Sequence, residues 1–481
     1  MALTRDAIVE QLQQIVGTEQ VLTDPVLLQQ RSIDNWRKLD NIFGVFSTPV
    51  PAAVVMARST ADAAAVLQFA DQNGVNVVAR TGGTATEGGL ETVVENSIVL
   101  DGSAMNRIIS IDAYNMQATA QCGVPLQALE DEARKLGLTT GHSPQSKPVA
   151  HMGGLVATRS IGQFSTLYGG IEDMLVGCEV VFPGGQVSRI KNVPRRAAGP
   201  DIRHIVIGNE GALCFISEVT VKLFPYTPEN NIFMGWTLKS MKTGFEVLRD
   251  VMVAGYKPSV ARLYDPEDGQ LHFANFAAPD DCIVLFMAEG NAGISKATAD
   301  GIHEIVARHP DCAPVDPALI AEWFADLVWG PDKITREDER IRTTRNVNRT
   351  TEISADWSSI NDIYEAVLPR IRAEMKGITL LGGHSSHSYI NGTNMYFNYF
   401  FDLIDCEPQD EGAKYYSPII GIICEETLKR GGSIVHHHGI GKARTPWVKA
   451  EYGSSYPMLE TLKRAFDPNG IMNMGTILPR S

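Results

Sequence analysis

The chain has 481 residues, of which 44% are hydrophobic, so it is long enough to form two or three globular domains. Its 42 basic and 56 acidic residues give a net charge of -14, which disfavours nucleic acid or an anionic membrane surface as a partner. No signal peptide and no run of about 18 apolar residues is visible, so we expect a cytoplasmic protein without a membrane span.

The first predicted elements form a strand, helix, strand unit behind a short helix. Residues 6–16 carry apolar side chains at helical spacing. The apolar run 52–56 predicts a strand, and the capping pattern at 59–62 starts a helix that ends at Gly74. A second strand, 75–79, then leads directly into a glycine-rich loop.

The next elements mix strands and helices without regular alternation. We predict a strand at 116–120, a helix at 126–136, a hairpin at 176–190 and a strand-like run at 212–224. Prolines and asparagines after residue 224 mark the end of this first domain. Further on, the basic stretch 336–349 is either an active-site loop or a solvated helix.

Three segments rich in small residues suit the binding of phosphate. The glycine loop (residues 80–89) follows a strand, and glycines let backbone N–H groups approach a phosphate closely. This loop has neither the lysine of a nucleotide triphosphate loop nor the GxGxxG order, and alone it could be a plain turn. Together with 144–160 and 210–216 it suits a dinucleotide held by its pyrophosphate.

Three adjacent histidines near the C-terminus, His436, His437 and His438, indicate a site. Each imidazole needs partners for its ring nitrogens, so such a run is an unusual packing solution, although an inconsequential surface cluster is the alternative. On an extended segment, His436 and His438 would point one way and His437 the other.

The order of RTGGT, TGHSPQS with MGG and TRS, GxEGAL, SHxYxxGTNMYF and HHHGIGK resembles the FAD-binding family that includes vanillyl-alcohol oxidase. Within it the chain is most similar to alkylglycerone-phosphate synthase and the bacterial FAD-linked dehydrogenases related to that enzyme. The resemblance implies an α+β fold, with a two-subdomain PCMH-type FAD-binding domain and a mixed α/β cap. The implied boundaries are an N-terminal helical segment at 1–45, the FAD domain at 46–226, the substrate-capping domain at 227–430 and a tail at 431–481 that returns to the FAD domain.

The resemblance also implies which residues contact FAD. Several relatives tether the flavin through a histidine after the paired glycines, but here that position is Thr84, so we expect noncovalent FAD. The implied contacts are Arg80, Gly82, Gly83, Thr84, Pro144, Gln145, Ser146, His151, Gly153, Gly154, Thr158, Ser160, Glu210, Gly211 and Ile216.

Tyr396 matches the acid/base tyrosine of the synthases. An ordinary phenol pKa lies near ~10, so we expect the histidines at 436–438 to supply positive charge and hydrogen bonds to Tyr396. Zinc is a rival interpretation of these histidines with His384 and His387, but the resemblance gives it no support and we expect no metal.

Four further residues are predicted to bind substrate. For Arg262, a salt bridge in the core is an equal alternative to substrate binding. For His387, a structural pair with His384 is an equal alternative. No clear match to the synthase's phosphate-binding arginine exists among the arginines at 336–345. The four predicted residues are Arg262, Arg342, Arg345 and His387.

Two enzyme activities remain open. The first is an FAD-linked oxidoreductase that transfers hydride from a small hydroxy acid or polyol-type alcohol to flavin N5, with an electron-transfer flavoprotein, a quinone or oxygen as acceptor. The alternative is a synthase-like transferase that exchanges acyl for alkyl through a flavin N5 adduct. A flavin-carrying protein without turnover is a third class, and relatives suggest a homodimer.

Overall fold

The computed structural model describes residues 3–327 and 330–480. A four-stranded sheet opens the fold, in the order β1, β2, β4, β3, with β4 parallel to both neighbours. Its strands are β1 (Val21–Leu22), β2 (Ala53–Met56), β3 (Val77–Arg80) and β4 (Ile98–Asp101). The helices before β3 are α1 (Arg5–Val16), α2 (Pro25–Arg31), α3 (Lys38–Phe43) and α4 (Thr60–Asn73).

The strand, helix, strand unit predicted from the sequence is confirmed. The Ser59 side chain accepts the Asp62 N–H at the start of α4, and the helix ends at Gly74, whose φ is +63°. Strand β3 therefore delivers the glycine loop at one edge of the sheet. Because β1 pairs with β2, the segment before residue 46 contributes to this sheet as well as helices.

A five-stranded antiparallel sheet follows, in the order β5, β6, β10, β8, β9. The predicted hairpin is strands β8 and β9, which turn at Pro183–Gly185. The strands of this part are β5 (Ile108–Asp112), β6 (Gln117–Gln121), β7 (Leu138–Thr139), β8 (Leu175–Val181), β9 (Val187–Ile190), β10 (Phe215–Lys222) and β11 (Phe224–Pro225). The helices are α5 (Leu126–Arg134), α6 (Met152–Ala157), α7 (Ser165–Tyr168), α8 (Ile171–Met174) and α9 (Arg203–Val206).

A seven-stranded antiparallel sheet forms the second half, in the order β15, β12, β14, β13, β17, β18, β16. Its strands are β12 (Ile232–Leu238), β13 (Val260–Tyr264), β14 (Cys282–Ala288), β15 (Ala313–Pro314), β16 (Asn346–Asp356), β17 (Ile378–Ser385) and β18 (Gly392–Asp402). The helices are α10 (Met241–Val253), α11 (Pro266–Phe273), α12 (Ala292–Val306), α13 (Pro317–Ala325), α14 (Pro331–Thr344), α15 (Ile360–Glu374) and α16 (Ser417–Lys429). The basic stretch 336–349 is therefore the end of α14 and the start of β16.

The tail connects the two halves. Ser433 bridges to Ser354 of β16, and Met472 bridges in parallel to Val77 of β3. Two helices lie between these contacts, α17 (Val448–Tyr452) and α18 (Tyr456–Phe466). No helix within the described ranges is long and apolar enough to cross a membrane.

Candidate active site

A cavity of about 760 Å³, the main cavity, lies between the two halves of the chain. Its walls come from the glycine loop, the segment 144–163 and the start of β10 on one side, and from β13, β17 and β18 on the other. Every residue predicted to contact FAD lines this cavity. A cavity of this size suits a large organic cofactor.

The glycine loop offers unused backbone donors to the cavity. A Cβ on Gly82 would lie 2.5 Å from the Val149 carbonyl oxygen, and Gly83 has a φ of +72°, so both positions favour glycine. In the described part of the chain, the N–H groups of Gly82, Gly83 and Thr84 donate to no carbonyl or side chain. These donors are available to a pyrophosphate.

Buried polar atoms around the same cavity also lack partners. His151 Nδ1, Gln163 Nε2 and Arg80 Nε have none among the described residues, which is rare for buried polar atoms. Burial lowers the pKa of Arg80 to about 10, so its guanidinium remains charged at neutral pH. An anionic dinucleotide would satisfy this set, and the residues therefore fit FAD.

Tyr396 is held in a stack of rings. It lies on β18 opposite His384 of β17, whose ring stacks on the phenol with centroids 4.6 Å apart. His384 Nδ1 is hydrogen bonded to the buried Asp268, which also accepts from Asn398 Nδ2 at 2.8 Å. These contacts fix the position of the Tyr396 side chain.

The Tyr396 hydroxyl lies 2.5 Å from His437 Nε2. Burial, and then the charge of Glu352, raise the pKa of Tyr396 above its usual value. Burial, and then the charges of His438 and His436, hold the pKa of His437 well below its usual value. The predicted hydrogen bond is present, and burial favours the neutral form of His437 itself.

Two carboxylates shape the histidine segment (residues 436–442). The Glu352 carboxylate accepts the N–H groups of His436 and His438, and the Glu210 carboxylate accepts those of Ile440 at 2.8 Å and Gly441 at 2.9 Å. The segment therefore bends and is not a strand. The alternation predicted for its side chains is wrong.

The bend divides the histidines between two cavities. His437 and His438 line the main cavity together with Tyr396. His436 lines a second cavity of about 760 Å³, whose wall also includes Tyr389 and Arg159, and His437 lies between the two cavities because it lines both.

A buried ion cluster lies behind the histidine segment. Arg444 is 0% exposed, and its guanidinium lies 3.0 Å from Glu87 Oε1 and 3.5 Å from Glu352 Oε1. His438 Nδ1 lies 3.6 Å from Glu87 and 3.5 Å from Glu352. This cluster anchors both carboxylates, and Glu352 in turn holds the backbone that presents His437.

Ligand atoms of Glu352, His436 and His437 lie within 4.8 Å of one another, close enough for one metal ion to share. The Glu352 carboxylate already accepts two backbone N–H groups and lies beside the Arg444 guanidinium. A cation at this place would be repelled by Arg444, so the geometry favours hydrogen bonding over metal binding.

Arg262 presents a buried cation to the main cavity. It is 4% exposed, its Nη1 donates to the Tyr264 hydroxyl, and its Nε has no partner. No carboxylate pairs with it among the described residues, so the salt-bridge explanation is not supported. His387, which also lines the cavity, has its Nδ1 2.8 Å from the Ser165 hydroxyl.

Arg342 and Arg345, which the sequence assigned to substrate binding, do not line the main cavity. Arg342 Nε donates to the Ile42 carbonyl at 3.2 Å, and Arg345 Nη2 donates to the Cys406 carbonyl at 2.8 Å. Arg340 lines the cavity instead. Helical residues two apart point to opposite sides, so Arg342 faces away when Arg340 faces the cavity.

Sequence reasoning missed the residues that support Tyr396. The sequence left His384 open as a structural, catalytic or zinc-binding residue and gave no sign that its ring stacks on Tyr396. No local pattern singled out the others, since their partners lie far away along the chain. The missed residues are Asp268, Asn398, Glu87, Glu352 and Arg444.

Comparison with known proteins identifies a family for each half of the chain. A model of the FAD binding domain matches residues 51–191, and a model of the C-terminal domain of FAD linked oxidases matches residues 227–477. The chain is 62% identical over 482 residues to the uncharacterized FAD-linked oxidoreductase YgcU of Escherichia coli strain K12, covering 100% of this chain and 99% of that protein.

Two more distant proteins share most of the chain. Alkyldihydroxyacetonephosphate synthase of Caenorhabditis elegans is 28% identical over 466 residues, covering 89% of this chain and 76% of that one. A crystal structure of p-cresol methylhydroxylase with substrate bound has a TM-score of 0.79 at 16% identity, covering 99% of this chain and 97% of that one, which confirms the predicted PCMH-type fold. The chain therefore belongs to the FAD-linked oxidoreductases, with an FAD-binding domain followed by the C-terminal domain of the FAD-linked oxidases.

Proposed function

We propose that this protein oxidises the CH–OH group of a small anionic hydroxy acid or polyol derivative. The observation that carries the proposal is the hydrogen-bonded pair of Tyr396 and His437 together with Arg262, which has no carboxylate partner among the described residues, all facing the main cavity. When bound, FAD supplies the acceptor for the hydride that leaves the carbinol carbon.

Tyr396 and His437 would remove the hydroxyl proton as a unit. A phenol whose pKa is raised by burial stays protonated at neutral pH and cannot accept a second proton by itself. It can take the substrate proton only while giving its own proton to the neutral Nε2 of His437, which lies 2.5 Å away. The Tyr396–His437 pair thus moves one proton without placing a net charge on Tyr396.

Arg262 would hold the carboxylate or phosphate of the substrate. We expect Arg262→Met to raise KM for an anionic substrate roughly 30-fold or more, the equivalent of about 2 kcal/mol, because a buried charge pair is lost. Steady-state kinetics with a charged substrate and its neutral ester measure the effect, which the ester should not show. Arg342→Met, outside the cavity, is the matched control and should leave KM unchanged.

The decisive experiment is the visible spectrum of the purified protein under anaerobic conditions, before and after adding a panel of 2-hydroxy acids and polyol phosphates. Persistent bleaching of the flavin by one member supports the proposal and identifies its substrate class. A colourless protein that cannot be reconstituted with FAD would overturn it.

The second candidate is a transferase that exchanges acyl for alkyl on a ketone phosphate, which the likeness to alkyldihydroxyacetonephosphate synthase favours. Such a reaction has no net redox change, so the flavin stays oxidised over each turnover. A yellow protein that no panel member bleaches, and that converts an acyl ketone phosphate with a fatty alcohol, would replace the first proposal by this one.

We propose further that FAD is bound without a covalent link, because Thr84, at the wall of the main cavity, offers no side chain that can form one. Denaturation in acid should therefore release all of the yellow colour into the supernatant. The absorbance of supernatant and pellet after centrifugation measures this, and a yellow pellet would show a covalent flavin.

A further inference from the structure

Four side chains form a continuous hydrogen-bonded chain between the two cavities. Tyr396 hydroxyl and His437 Nε2 lie 2.5 Å apart, His437 Nδ1 and His436 Nδ1 lie 2.8 Å apart, and His436 Nε2 and the Tyr389 hydroxyl lie 2.7 Å apart. The first hydroxyl faces the main cavity and the last faces the second cavity. Tyr389 is 36% exposed, so this end reaches solvent.

We propose that Tyr396, His437, His436 and Tyr389 form a proton relay that carries the substrate's hydroxyl proton from the main cavity to the second cavity. The relay rests on the proposed oxidation, which must dispose of one proton for each hydride removed. The binding and oxidation of substrate in the main cavity, as proposed above, assign no role to Tyr389 or to His436 as the link between His437 and Tyr389.

The contact between two Nδ1 atoms restricts where the ring protons lie. Burial, and then the charges of His438 and Arg159, lower the pKa of His436 to about 3, and His437 is neutral for the same main reason. Each neutral imidazole carries one N–H, so one Nδ1 must donate and the other must accept. The two rings must therefore be in opposite tautomers, and all hydrogen bonds of the chain point in one direction.

This arrangement allows a balanced transfer. In the resting state the Tyr396 hydroxyl donates to His437 Nε2, His437 Nδ1–H to His436 Nδ1, and His436 Nε2–H to the Tyr389 oxygen. When Tyr396 takes the substrate proton, each group passes its own proton one step along, and the Tyr389 proton leaves to water in the second cavity. The relay itself requires no oxidant or further reactant, and each of the three transfers between its side chains crosses 2.8 Å or less between heavy atoms.

The tautomers can be measured without a substrate. Holoprotein labelled with nitrogen-15 in histidine gives ring signals that distinguish Nδ1–H from Nε2–H, assigned with His436→Gln and His437→Gln. We expect His437 to carry its proton on Nδ1 and His436 on Nε2. Tyr389→Phe should shift the signals of both rings, whereas Tyr452→Phe, another tyrosine of the second cavity without a bond to these histidines, should shift neither.

Three results would overturn the relay. The first is the same tautomer on both rings, the second is a Tyr389→Phe spectrum unchanged at His437, and the third is a stoichiometric metal ion in the purified protein that His436→Gln loses. If a panel member bleaches the flavin, Tyr389→Phe should also slow bleaching about tenfold, with Tyr452→Phe unchanged. If no member does, the proposed oxidation fails, while the ring signals still decide whether the chain is ordered as a relay.

Discussion

Tyr396→Phe is expected to leave FAD bound and to slow bleaching of the flavin by substrate about 10²- to 10⁴-fold, the usual effect of losing a positioned acid–base group. The hydroxyl is the group that would take the substrate proton, and it lies 2.5 Å from His437 Nε2. The phenylalanine ring keeps the stacking contact with His384. Stopped-flow absorbance under anaerobic conditions, with the visible spectrum of the resting protein, measures both effects.

Tyr399→Phe is the matched control for this substitution. Tyr399 lies on the same strand, is fully buried, and its hydroxyl lies 3.0 Å from that of Thr351. Residues three apart on a strand point to opposite faces, so Tyr399 is not part of the cavity wall. We expect this variant to bleach at the normal rate. A Tyr396→Phe protein that also bleaches at the normal rate would mean that another group takes the proton.

Local signals in the sequence were sufficient to predict the strand, helix, strand unit that leads into the glycine loop, whereas the residues expected to contact FAD followed from the resemblance. The cap at Ser59 and the glycine at 74 define α4, which fixes where β3 ends and the glycine loop begins. Gly82 is followed by Gly83, whose φ is positive. Few other residues tolerate a positive φ, so the paired glycines in the sequence predict this backbone geometry. These features depend on neighbours within a few positions, so they are visible in a single sequence.

The side chains that hold Tyr396 and the histidine segment in position could not be predicted from such local signals. Asp268 and His384 are 116 positions apart, and Arg444 and Glu87 are 357 apart, so only the folded sheets bring them together. The phase of α14 relative to the cavity is likewise set by packing, so the sequence alone does not indicate that Arg340 and not Arg342 lines the cavity. Burial also decides that His437 is neutral, and the spacing of histidines contains no information on burial.

The largest loss of stability is expected from Arg444→Met. The guanidinium is fully buried between Glu87 and Glu352, and its removal leaves these two buried carboxylates with His438 as the basic group beside them. Breaking a buried pair in this way costs about 3–5 kcal/mol of unfolding free energy. Urea unfolding followed by circular dichroism, together with the FAD content of the purified variant, measures the loss.

The pH dependence of stability should change sign in the same variant. In the parent protein burial raises the pKa of Glu87, but the charges of Arg444 and His438 outweigh it and hold the pKa below the ordinary 4.5. The stabilisation that ionised Glu87 contributes is thus present above pH 4.5. It is lost as the pH falls through the lower pKa that Glu87 has in the folded protein. Without Arg444, burial dominates and raises that pKa, so the variant should become more stable as pH falls from 8 towards 5.

Arg370→Met separates this effect from the general loss of an arginine. Arg370 also has several carboxylate neighbours, Glu374, Glu425 and Glu426, but lies at the surface, so the loss should stay below about 1 kcal/mol with no change in pH dependence. If Arg444→Met lost no more than Arg370→Met, the cluster would not stabilise the protein, and the position of Glu352 would have to come from its strand alone. The loss of FAD from Arg444→Met but not from Arg370→Met would instead show that the cluster holds the histidine segment against the cofactor cavity.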